Sequence, residues 1–319
     1  MRRALVTGAC GFVGHPLCAE MLVRGWQVVA VVRSPCSLPI GVEMATVGGI
    51  DGLSNWTDAL CGAKVVVHLA ARVHIMRDEA ADPLTEFRRV NVEGTLNLAR
   101  QAADAGVRRF IYLSSIKVNG EQTLCEQSFT VQDVPAPLDP YSISKHEAEE
   151  SLRKLAQQTG MEVVIIRPPL VYGPGVKANF LAMMRWLHKG VPLPLGAIHN
   201  RRSLVALDNL VDLIITCLDH PAAANQTFLI SDGEDLSTTE LLRRMGLALG
   251  RPARLIPVPV SLLTSGAALL GRRDMAQRLC GSLQVDISKA RALLGWKPPI
   301  SVDEGLRRTA QGFLHETTL

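Results

Sequence analysis

The fold is decided by residues 4–14, which read ALVTGACGFVG. An apolar, partly β-branched run, 4–7, ends in a turn with glycine at every third position, at Gly8, Gly11 and Gly14. Glycines in this pattern let the backbone turn tightly, approach a pyrophosphate and pack the next helix closely against the strand. The stretch therefore predicts a strand, a phosphate-binding turn and a helix whose N-terminus faces the phosphates. A plain turn is the alternative, and it requires that no strand precede the glycines.

The first half of the chain continues this alternation of short β-branched runs and amphipathic segments. Such alternation is typical of a parallel sheet covered by helices on both faces. Strands are predicted at 4–7, 28–32, 65–69, 110–113 and 163–167, and helices at 12–24, 84–105 and 141–159. We therefore expect an α/β fold, a doubly wound parallel sheet of the Rossmann type, with the glycine turn after its first strand.

The alternation of β-branched and amphipathic segments ends after residue 171, where a Gly-Pro-Gly turn follows. Further on, Ser237 and Ser301 each precede a glutamate by three residues, which is the capping pattern that opens a helix. The sequence predicts a dinucleotide-binding domain over 1–171 and a smaller, mostly helical substrate domain over 172–319. Residues 203–220 are predicted to form a strand and a helix that return to the first domain.

Composition narrows the class of protein. The 319 residues are 47% hydrophobic, which is enough to bury a sizeable core. The net charge of +4 is mild and no dense basic run occurs, so no nucleic-acid partner is predicted. No apolar run reaches the roughly 20 residues that span a bilayer, and a cytoplasmic protein is expected. The seven cysteines form no Cys-x-x-Cys pair, so they are predicted to be reduced packing residues, with neither a zinc site nor a disulfide framework.

The choice of cofactor is expected at the tip of the second strand. In this fold a carboxylate there binds a ribose 2′-hydroxyl, whereas a cation accommodates a 2′-phosphate. The strand ends in Val31-Val32-Arg33-Ser34, without an acidic residue. Arg33 offers a fork of donors and Ser34 a hydroxyl, and both suit a phosphate. These residues favour NADP(H), with NAD(H) as the alternative; the other interpretation of Arg33 is a solvated surface arginine.

A second chemical motif is formed by Tyr141 and Lys145, four residues apart behind Pro140. Proline is typical of the first turn of a helix, and on a helix the two side chains share one face. An ammonium group near a phenol favours the phenolate, so the pair predicts an acid/base group. Lowering a phenol pKa from about 10 to around 7 takes roughly 4 kcal/mol, which we expect from the lysine and a bound cationic nicotinamide.

Ser115 ends another predicted strand, at the edge of the sheet where ligands bind. By itself a serine at a strand end is more often a turn or cap residue. Tyr141 and Lys145 further along the chain make it a candidate to hydrogen-bond a substrate oxygen.

Other polar residues carry simpler interpretations. His68 and His146 have no metal-ligand spacing to another histidine or cysteine, so packing or surface roles are expected and no metal site is predicted. His74 and Arg77 are expected in a loop that could reach the substrate, with a solvated loop as the default. A solvated helix face is predicted for three glutamates, Glu147, Glu149 and Glu150.

Five further motifs follow in order along the chain: His68-Leu69-Ala70-Ala71, Asn91-Val92-Glu93-Gly94-Thr95, Leu113-Ser114-Ser115, Arg167-Pro168-x-x-Val171-Tyr172-Gly173-Pro174 and Asp286-x-Ser288-Lys289-Ala290-x-x-x-Leu294-Gly295-Trp296. Together with the glycine turn and the Tyr141–Lys145 pair, this ordered set resembles the extended short-chain dehydrogenase/reductase family. Within that family the chain is most similar to the nucleotide-sugar epimerases and reductases, including relatives of UDP-galactose 4-epimerase. The likeness runs nearly end to end.

The resemblance implies roles for the matched residues. Tyr141 would be the acid/base, Lys145 would hold the nicotinamide ribose and lower the tyrosine pKa, and Ser115 would orient the reacting oxygen. The residues implied to contact the cofactor are Gly8, Gly11, Phe12, Val13, Arg33, Ser34, Ile50, Leu69, Ala70, Ala71, Asn91, Tyr141, Lys145 and Pro168. Those implied to bind a UDP-sugar substrate are Ser115, Asn179, Arg202 and Arg278. A homodimer is implied as well.

Three departures from the family pattern bear on activity. Ile116-Lys117 stands where sugar-nucleotide 4,6-dehydratases carry an Asp-Glu pair, so a dehydratase is not expected. Val32 and Arg33 stand where NAD-retaining epimerases have an acid, which resembles the NADPH-using reductases. Ile50 stands where the adenine-side motif usually has an aspartate.

These considerations give three hypotheses for function. The first is NADPH-dependent reduction of the C4 ketone of a UDP-linked 4-keto-6-deoxy-N-acetylhexosamine in surface polysaccharide (O-antigen) precursor synthesis, with Tyr141 protonating the oxygen. The second is a UDP-hexose 4-epimerase that oxidises and re-reduces C4 with a retained NAD. The third is a non-catalytic NADP-sensing protein, against which the intact Ser115, Tyr141 and Lys145 argue.

Overall fold

The computed structural model describes residues 2–73, 82–124, 126–269, 271 and 273–318. His74 and Arg77, the two loop candidates from the sequence, lie outside these ranges.

The strands are β1 (Arg3–Thr7), β2 (Gln27–Val32), β3 (Glu43–Thr46), β4 (Val65–His68), β5 (Arg109–Leu113), β6 (Ser128–Phe129), β7 (Glu162–Arg167), β8 (Leu170–Tyr172), β9 (Arg202–Ala206), β10 (Thr227–Leu229), β11 (Asp235–Leu236) and β12 (Gln284–Val285). The helices are α1 (Gly14–Val23), α2 (Thr57–Leu60), α3 (Pro83–Arg88), α4 (Thr95–Asp104), α5 (Pro140–Thr159), α6 (Ala178–His188), α7 (Leu207–Asp219), α8 (Thr238–Ala248), α9 (Val260–Leu269), α10 (Arg273–Cys280), α11 (Ser288–Leu294) and α12 (Val302–Thr318).

A seven-stranded parallel sheet in the order β10-β7-β5-β4-β1-β2-β3 forms the centre of the molecule. The Rossmann-type fold predicted from the sequence is thereby confirmed. Alternate residues of β1 enter different cores: Ala4 and Val6 pack with helices α1 and α7, whereas Leu5 packs with α2, α4 and α5. The sheet is therefore covered on both faces, and its carboxyl edge collects the residues that follow the strands.

Two edge strands, β3 and β10, were not among the predicted ones. They have only four and three residues, and β3 is largely exposed, so neither has the long apolar run of a central strand. The predicted helix over 84–105 is divided into α3, a π-helical segment at Arg89–Gly94, and α4. That segment carries Asn91, one of the candidate site residues.

A second core lies in the C-terminal region. Strands β8, β9 and β11 form a three-stranded sheet against which α6, α8 and α12 pack, with Phe180, Leu242 and Leu306 buried among them. Residues 203–220, predicted to return to the first domain, contact both sheets. Strand β9 joins the small sheet, while α7 packs on the large one, because a strand's partner depends on the tertiary fold and not on its own apolar pattern.

The cysteine prediction is wrong at one pair. Cys10 and Cys36 form a disulfide, with their Cα atoms 6.4 Å apart. The two residues are separated by 26 positions, so no spacing motif announces the bond, and only the return of the chain after β2 brings them together. Cys18 and Cys217 are buried free thiols, in agreement with packing roles.

Two kinds of feature are absent from the described ranges. No helix in them is both long and apolar enough to cross a membrane. No group of three or more potential metal-binding side chains was found among those residues.

Candidate active site

The glycine turn is packed so tightly that side chains are excluded from it. Gly8 has a φ of +70°, and a Cβ atom there would lie 2.9 Å from the backbone nitrogen of Ala70. A Cβ on Gly14 would lie within van der Waals overlap of the Gly8 carbonyl oxygen. Helix α1 then begins at Gly14 without a side-chain cap from Val13. Uncapped N–H groups at a helix start are suited to bind an anion, so the turn fits a pyrophosphate.

The tip of β2 lies beside this turn. Arg33 and Ser34 are exposed immediately after the strand, and the disulfide from Cys36 to Cys10 ties their segment to the glycine turn. The residues next to the glycine turn therefore offer hydrogen-bond donors, and this segment carries no carboxylate.

A buried histidine at the end of the neighbouring strand β4 holds the glycine turn in place through hydrogen bonds. His68, at the end of β4, hydrogen-bonds Thr7 through Nδ1 at 2.7 Å and Thr95 through Nε2 at 2.9 Å. Burial, with the charge of Lys145 adding to it, lowers the pKa of His68 to about 3, so the ring is neutral. The Thr7 hydroxyl in turn accepts a hydrogen bond from the Ala70 backbone. His68 is thus a packing residue that fixes the backbone of the candidate residues Leu69, Ala70 and Ala71.

Asn91 connects this segment to the helix that carries the tyrosine. Its Oδ1 accepts from the Arg72 backbone nitrogen at 2.8 Å, and its Nδ2 donates to the Arg72 carbonyl and to the Ser144 hydroxyl, each at 3.0 Å. Ser144 lies on α5. Asn91 therefore supports the geometry of the site through protein contacts on both sides.

Helix α5 begins where the sequence predicted, at Pro140 behind a capping aspartate. The Asp139 carboxylate accepts from the Ser142 backbone N–H at 2.7 Å, and the Asp139 backbone N–H donates to the Ser142 hydroxyl oxygen at 3.1 Å. Tyr141 follows in the first turn, partly exposed, with its ring edge against Phe87. The cap thus fixes where the phenol emerges from the helix.

The electrostatics of Tyr141 differ from the sequence-based expectation. Desolvation raises its pKa to about 12, and the Asp139 charge acts in the same direction, while a hydrogen bond with Ser115 acts to lower it. Lys145 lies 5.9 Å from the ring centroid but donates to the Leu113 carbonyl at 2.8 Å. Burial lowers the pKa of Lys145 to about 7, so it is a weak source of positive charge. The lowered tyrosine pKa is not present in the chain by itself, and we expect it only with a cationic nicotinamide bound.

A buried network that was not predicted from the sequence lies directly behind this pair. Glu149 is fully buried, not solvated: it accepts from Ser114 at 2.5 Å and from Arg167 at 2.9 and 2.5 Å. Burial acts to raise its pKa, but the hydrogen bonds and charge of Arg167 outweigh that effect and lower it. Arg167 also donates to Asn119 at 2.8 Å. The signal in the sequence was the position of Glu149, one helical turn after Lys145.

Two other cofactor candidates lie in packed surroundings. The carbonyl of Pro168 accepts from the Ile116 backbone at 3.0 Å, which joins the end of β7 to the turn after Ser115. Ile50 packs so closely on Gly94 that a Cβ there would lie 2.7 Å from its Cγ2.

The candidate substrate residues lie in the C-terminal region. Arg202 starts β9, and its guanidinium donates to the carbonyls of Arg278 at 2.9 Å and Gly281 at 3.1 Å. The structure thus brings Arg202 and the Arg278 segment together. Asn179 is exposed at the start of α6, and Arg278 is exposed as well.

The chain belongs to the NAD dependent epimerase/dehydratase family, whose model matches residues 4–231. Its relatives include the UDP-glucose 4-epimerase of Vibrio cholerae, 51% identical over 97% of this chain and 95% of that protein. A solved structure titled MoeE5 in complex with UDP-glucose and NAD is 25% identical, with a TM-score of 0.77 over 99% of this chain and 100% of the other. The UDP-glucose 4-epimerase of Thermotoga maritima with UDP-glucose, 21% identical, shares the fold with a TM-score of 0.78 over 99% and 100% of the chains.

These comparisons confirm the family that the motifs indicated, and the protein is an enzyme of it. They overturn the first hypothesis, the NADPH-dependent reduction of a 4-keto-6-deoxy sugar, because the 51% identical relative is a 4-epimerase. The physical reason for the error is that a serine, a tyrosine and a lysine of the kind predicted at 115, 141 and 145 suit hydride transfer in either direction, so they do not separate the two reactions. The case for a net reduction rested on the cation at the tip of β2 alone, which bears on the form of the cofactor and not on the reaction.

Proposed function

We propose that the protein is a UDP-hexose 4-epimerase that interconverts UDP-glucose and UDP-galactose. In this reaction C4 of the hexose is oxidised to a ketone and then reduced from the other face, with the nicotinamide dinucleotide retained throughout. The observation that carries the proposal is the 51% identity, over nearly the whole chain, to a UDP-glucose 4-epimerase. The assembled Ser115, Tyr141 and Lys145 at the carboxyl edge of the sheet support it.

The proton of the sugar hydroxyl is exchanged by Tyr141. As phenolate it accepts the proton from O4 when C4 is oxidised, and it returns the proton when the ketone is reduced. Ser115 accepts a hydrogen bond from the Lys117 backbone at 3.3 Å, so its own hydrogen is free to donate to the phenol oxygen or to O4. Lys145, on the same helix face, adds positive charge only in part, because burial lowers its pKa to about 7. A nicotinamide dinucleotide held at this site would supply the group that takes up and gives back the hydride.

The chain's own residues fit a dinucleotide. The glycine turn leaves no room for a Cβ, and the start of α1 has no side-chain cap, both of which suit a pyrophosphate. The form of the cofactor stays a prediction. Arg33 and Ser34, exposed just after β2 and without a carboxylate at the end of that strand, favour NADP(H), and the solved relative that contains NAD supports NAD(H) as the alternative.

The substrate side is also a proposal. We assign the region 1–171 to the dinucleotide and 172–319 to the nucleotide sugar, with Arg202, Arg278 and Asn179 at the diphosphate. Guanidinium and amide groups match pyrophosphate oxygens. A homodimer and a cytoplasmic location belong to the same proposal, since nicotinamide dinucleotides and UDP-sugars are metabolites of the cytoplasm. Light scattering of the purified protein tests the dimer.

Epimerisation without added cofactor is the decisive experiment. Purified protein given UDP-galactose should form UDP-glucose, and proton NMR of the sugar monitors the conversion. The denatured protein should release one dinucleotide, which mass spectrometry identifies. Tyr141→Phe keeps the ring and removes the proton carrier, so turnover should fall at least about 100-fold. A dinucleotide-loaded protein that leaves both UDP-hexoses unchanged would rule out the proposed activity.

A further inference from the structure

Lys117 touches two parts of the candidate site that lie apart in the sequence. It belongs to a 3₁₀ turn, Ile116–Val118, which Ser115 caps. Its backbone N–H donates to the Ser115 hydroxyl oxygen at 3.3 Å, and its ammonium lies 2.5 Å from the Asp139 carboxylate. A second carboxylate, Glu121, is more distant at 3.4 Å. One residue therefore contacts both the serine and the cap of the helix that carries the tyrosine.

The partner carboxylate is close to the reacting phenol. Asp139 precedes Tyr141 by two residues and caps α5 through its other oxygen. Its negative charge acts to raise the pKa of Tyr141. The side chains of Lys117 and Asp139 are 34% and 21% exposed, so solvent screens their ion pair only in part. Lys117 therefore offsets part of a charge that disfavours the phenolate.

We propose that Lys117 is a positioning residue of the active site, which aims the Ser115 hydroxyl through its backbone and neutralises the Asp139 carboxylate through its ammonium. The inference rests on the proposed function, in which Tyr141 exchanges the proton of the substrate. It assigns a role to the position at which the dehydratase pair is replaced in this chain.

The other groups around the phenol do not replace this effect. Among the described residues, the charged and titratable groups that act on Tyr141 or lie around its ring include Asp139 at the helix cap, Lys145 on the same helix and Tyr112 on β5, with Arg72 beyond the apolar Phe87 ring of α3. Lys145 is held at the Leu113 carbonyl. Of these groups, Asp139 is the one whose charge opposes ionisation of Tyr141 and is paired with Lys117.

Substitutions of Lys117 and Asp139 should shift the pKa of the Tyr141 phenol in opposite directions. Lys117→Met leaves the carboxylate without its cation, so the pKa of Tyr141 should rise by about one pH unit. Asp139→Asn removes the carboxylate but keeps a good helix cap, so the same pKa should fall. A purely structural role for the pair would move both variants in the same direction or neither.

The measurement is an alkaline titration of the holoenzyme, followed by tyrosinate absorbance. The chain has three tyrosines. Burial raises the pKa values of Tyr112 and Tyr172 far above the ordinary range, so Tyr141 should ionise first, and Tyr141→Phe should remove that step. Lys117→Arg and Glu121→Gln are matched controls that should titrate like the wild type. The acid limb of the pH profile of kcat should shift by the same amount as the Tyr141 pKa, while KM should not change.

Equal titration of wild type, Lys117→Met and Asp139→Asn would overturn the inference, and so would shifts of the same sign. If Lys117→Met does not fold, Asp139→Asn decides alone, because a rise or no change contradicts the expected fall. Opposite shifts in a protein that does not epimerise would uphold the role of Lys117 and reject the proposed function. If the protein epimerises UDP-hexoses but the Tyr141 pKa is the same in all variants, the proposed function is upheld and the role of Lys117 is rejected.

Discussion

Glu149 carries a negative charge into the interior, one helical turn beyond Lys145. Its carboxylate is held by Arg167, Ser114 and Arg153, and its exposed neighbour Glu150 pairs with the same Arg153 at the surface. Removing one partner of a buried ion pair leaves the other charge desolvated, which usually costs more than the pair itself contributes. The residue therefore decides the stability of the packing behind the site.

Glu149→Gln should lower the free energy of unfolding by about 3–5 kcal/mol, because Arg167 loses its buried counter-charge. Urea denaturation measures the change. Glu150→Gln, the matched exposed control, should change stability by about 0.5 kcal/mol or less. Equal effects of the two substitutions would show that burial of the pair does not matter.

The same carboxylate gives a pH dependence with a definite sign. The folded pKa of Glu149 is lowered, so its contribution is complete above the ordinary glutamate value of about 4.3 and is lost as the pH falls through the folded value. The wild type should lose stability more steeply than Glu149→Gln on acidification from about pH 4. Thermal unfolding at stepped pH values tests this, and parallel curves would contradict it.

At the scale of elements, the turn after β1 and the segment after β2 are joined covalently. The disulfide between Cys10 and Cys36 closes a loop that contains α1 and β2, next to the uncapped start of α1. A cross-link of this sequence separation restricts the unfolded chain more than the folded one. The two elements at the predicted adenosine end of the cofactor site are thereby held together.

Cys36→Ser should lower the free energy of unfolding by about 3 kcal/mol under non-reducing conditions, since the cross-link is lost. Differential scanning fluorimetry with and without dithiothreitol provides the measurement. The wild type should fall to the level of the variant when reduced, while Cys61→Ser, at an exposed free thiol, should behave as wild type. If the reductant leaves the melting temperature of the wild type unchanged, the presence of a stabilising disulfide is contradicted.

At the scale of the whole molecule, one buried tyrosine joins the small sheet to its surroundings. The Tyr172 hydroxyl donates to Asp232 at 2.7 Å, and the other Asp232 oxygen accepts from the Ala206 backbone and from Asn209. Asn209 also donates to the carbonyl of Ile300 at 3.0 Å. These bonds tie β8, β9 and α7 to the segment before α12, between the two cores.

Tyr172→Phe should cost about 1–3 kcal/mol of stability, because one oxygen of the buried Asp232 loses its donor. Chemical denaturation followed by intrinsic fluorescence gives the value. Tyr141→Phe, the same change at a partly exposed tyrosine, should cost less while abolishing turnover. A Tyr172→Phe protein as stable as the wild type would show that this link carries no energy.

Local signals in the sequence determined much of this molecule. The glycines at 8, 11 and 14, the Asp139–Pro140 start of α5 and the apolar runs of the five central strands act over a few residues, so their structures follow from backbone sterics, capping and periodicity. The same ordered motifs identified the family. They could not separate a reductase from an epimerase, because one set of side chains serves both directions of hydride transfer.

The remainder was decided by contacts between residues far apart in the chain. The burial of Glu149 against Arg167, the bond from Cys10 to Cys36 and the contact of Lys117 with Asp139 bring together residues 18 to 26 positions apart. The partner of β9 and the edge strands β3 and β10 were likewise set by the assembled sheets. Charge pairing, desolvation and strand partnership depend on where the chain returns in space, and no local pattern of residues contains that information.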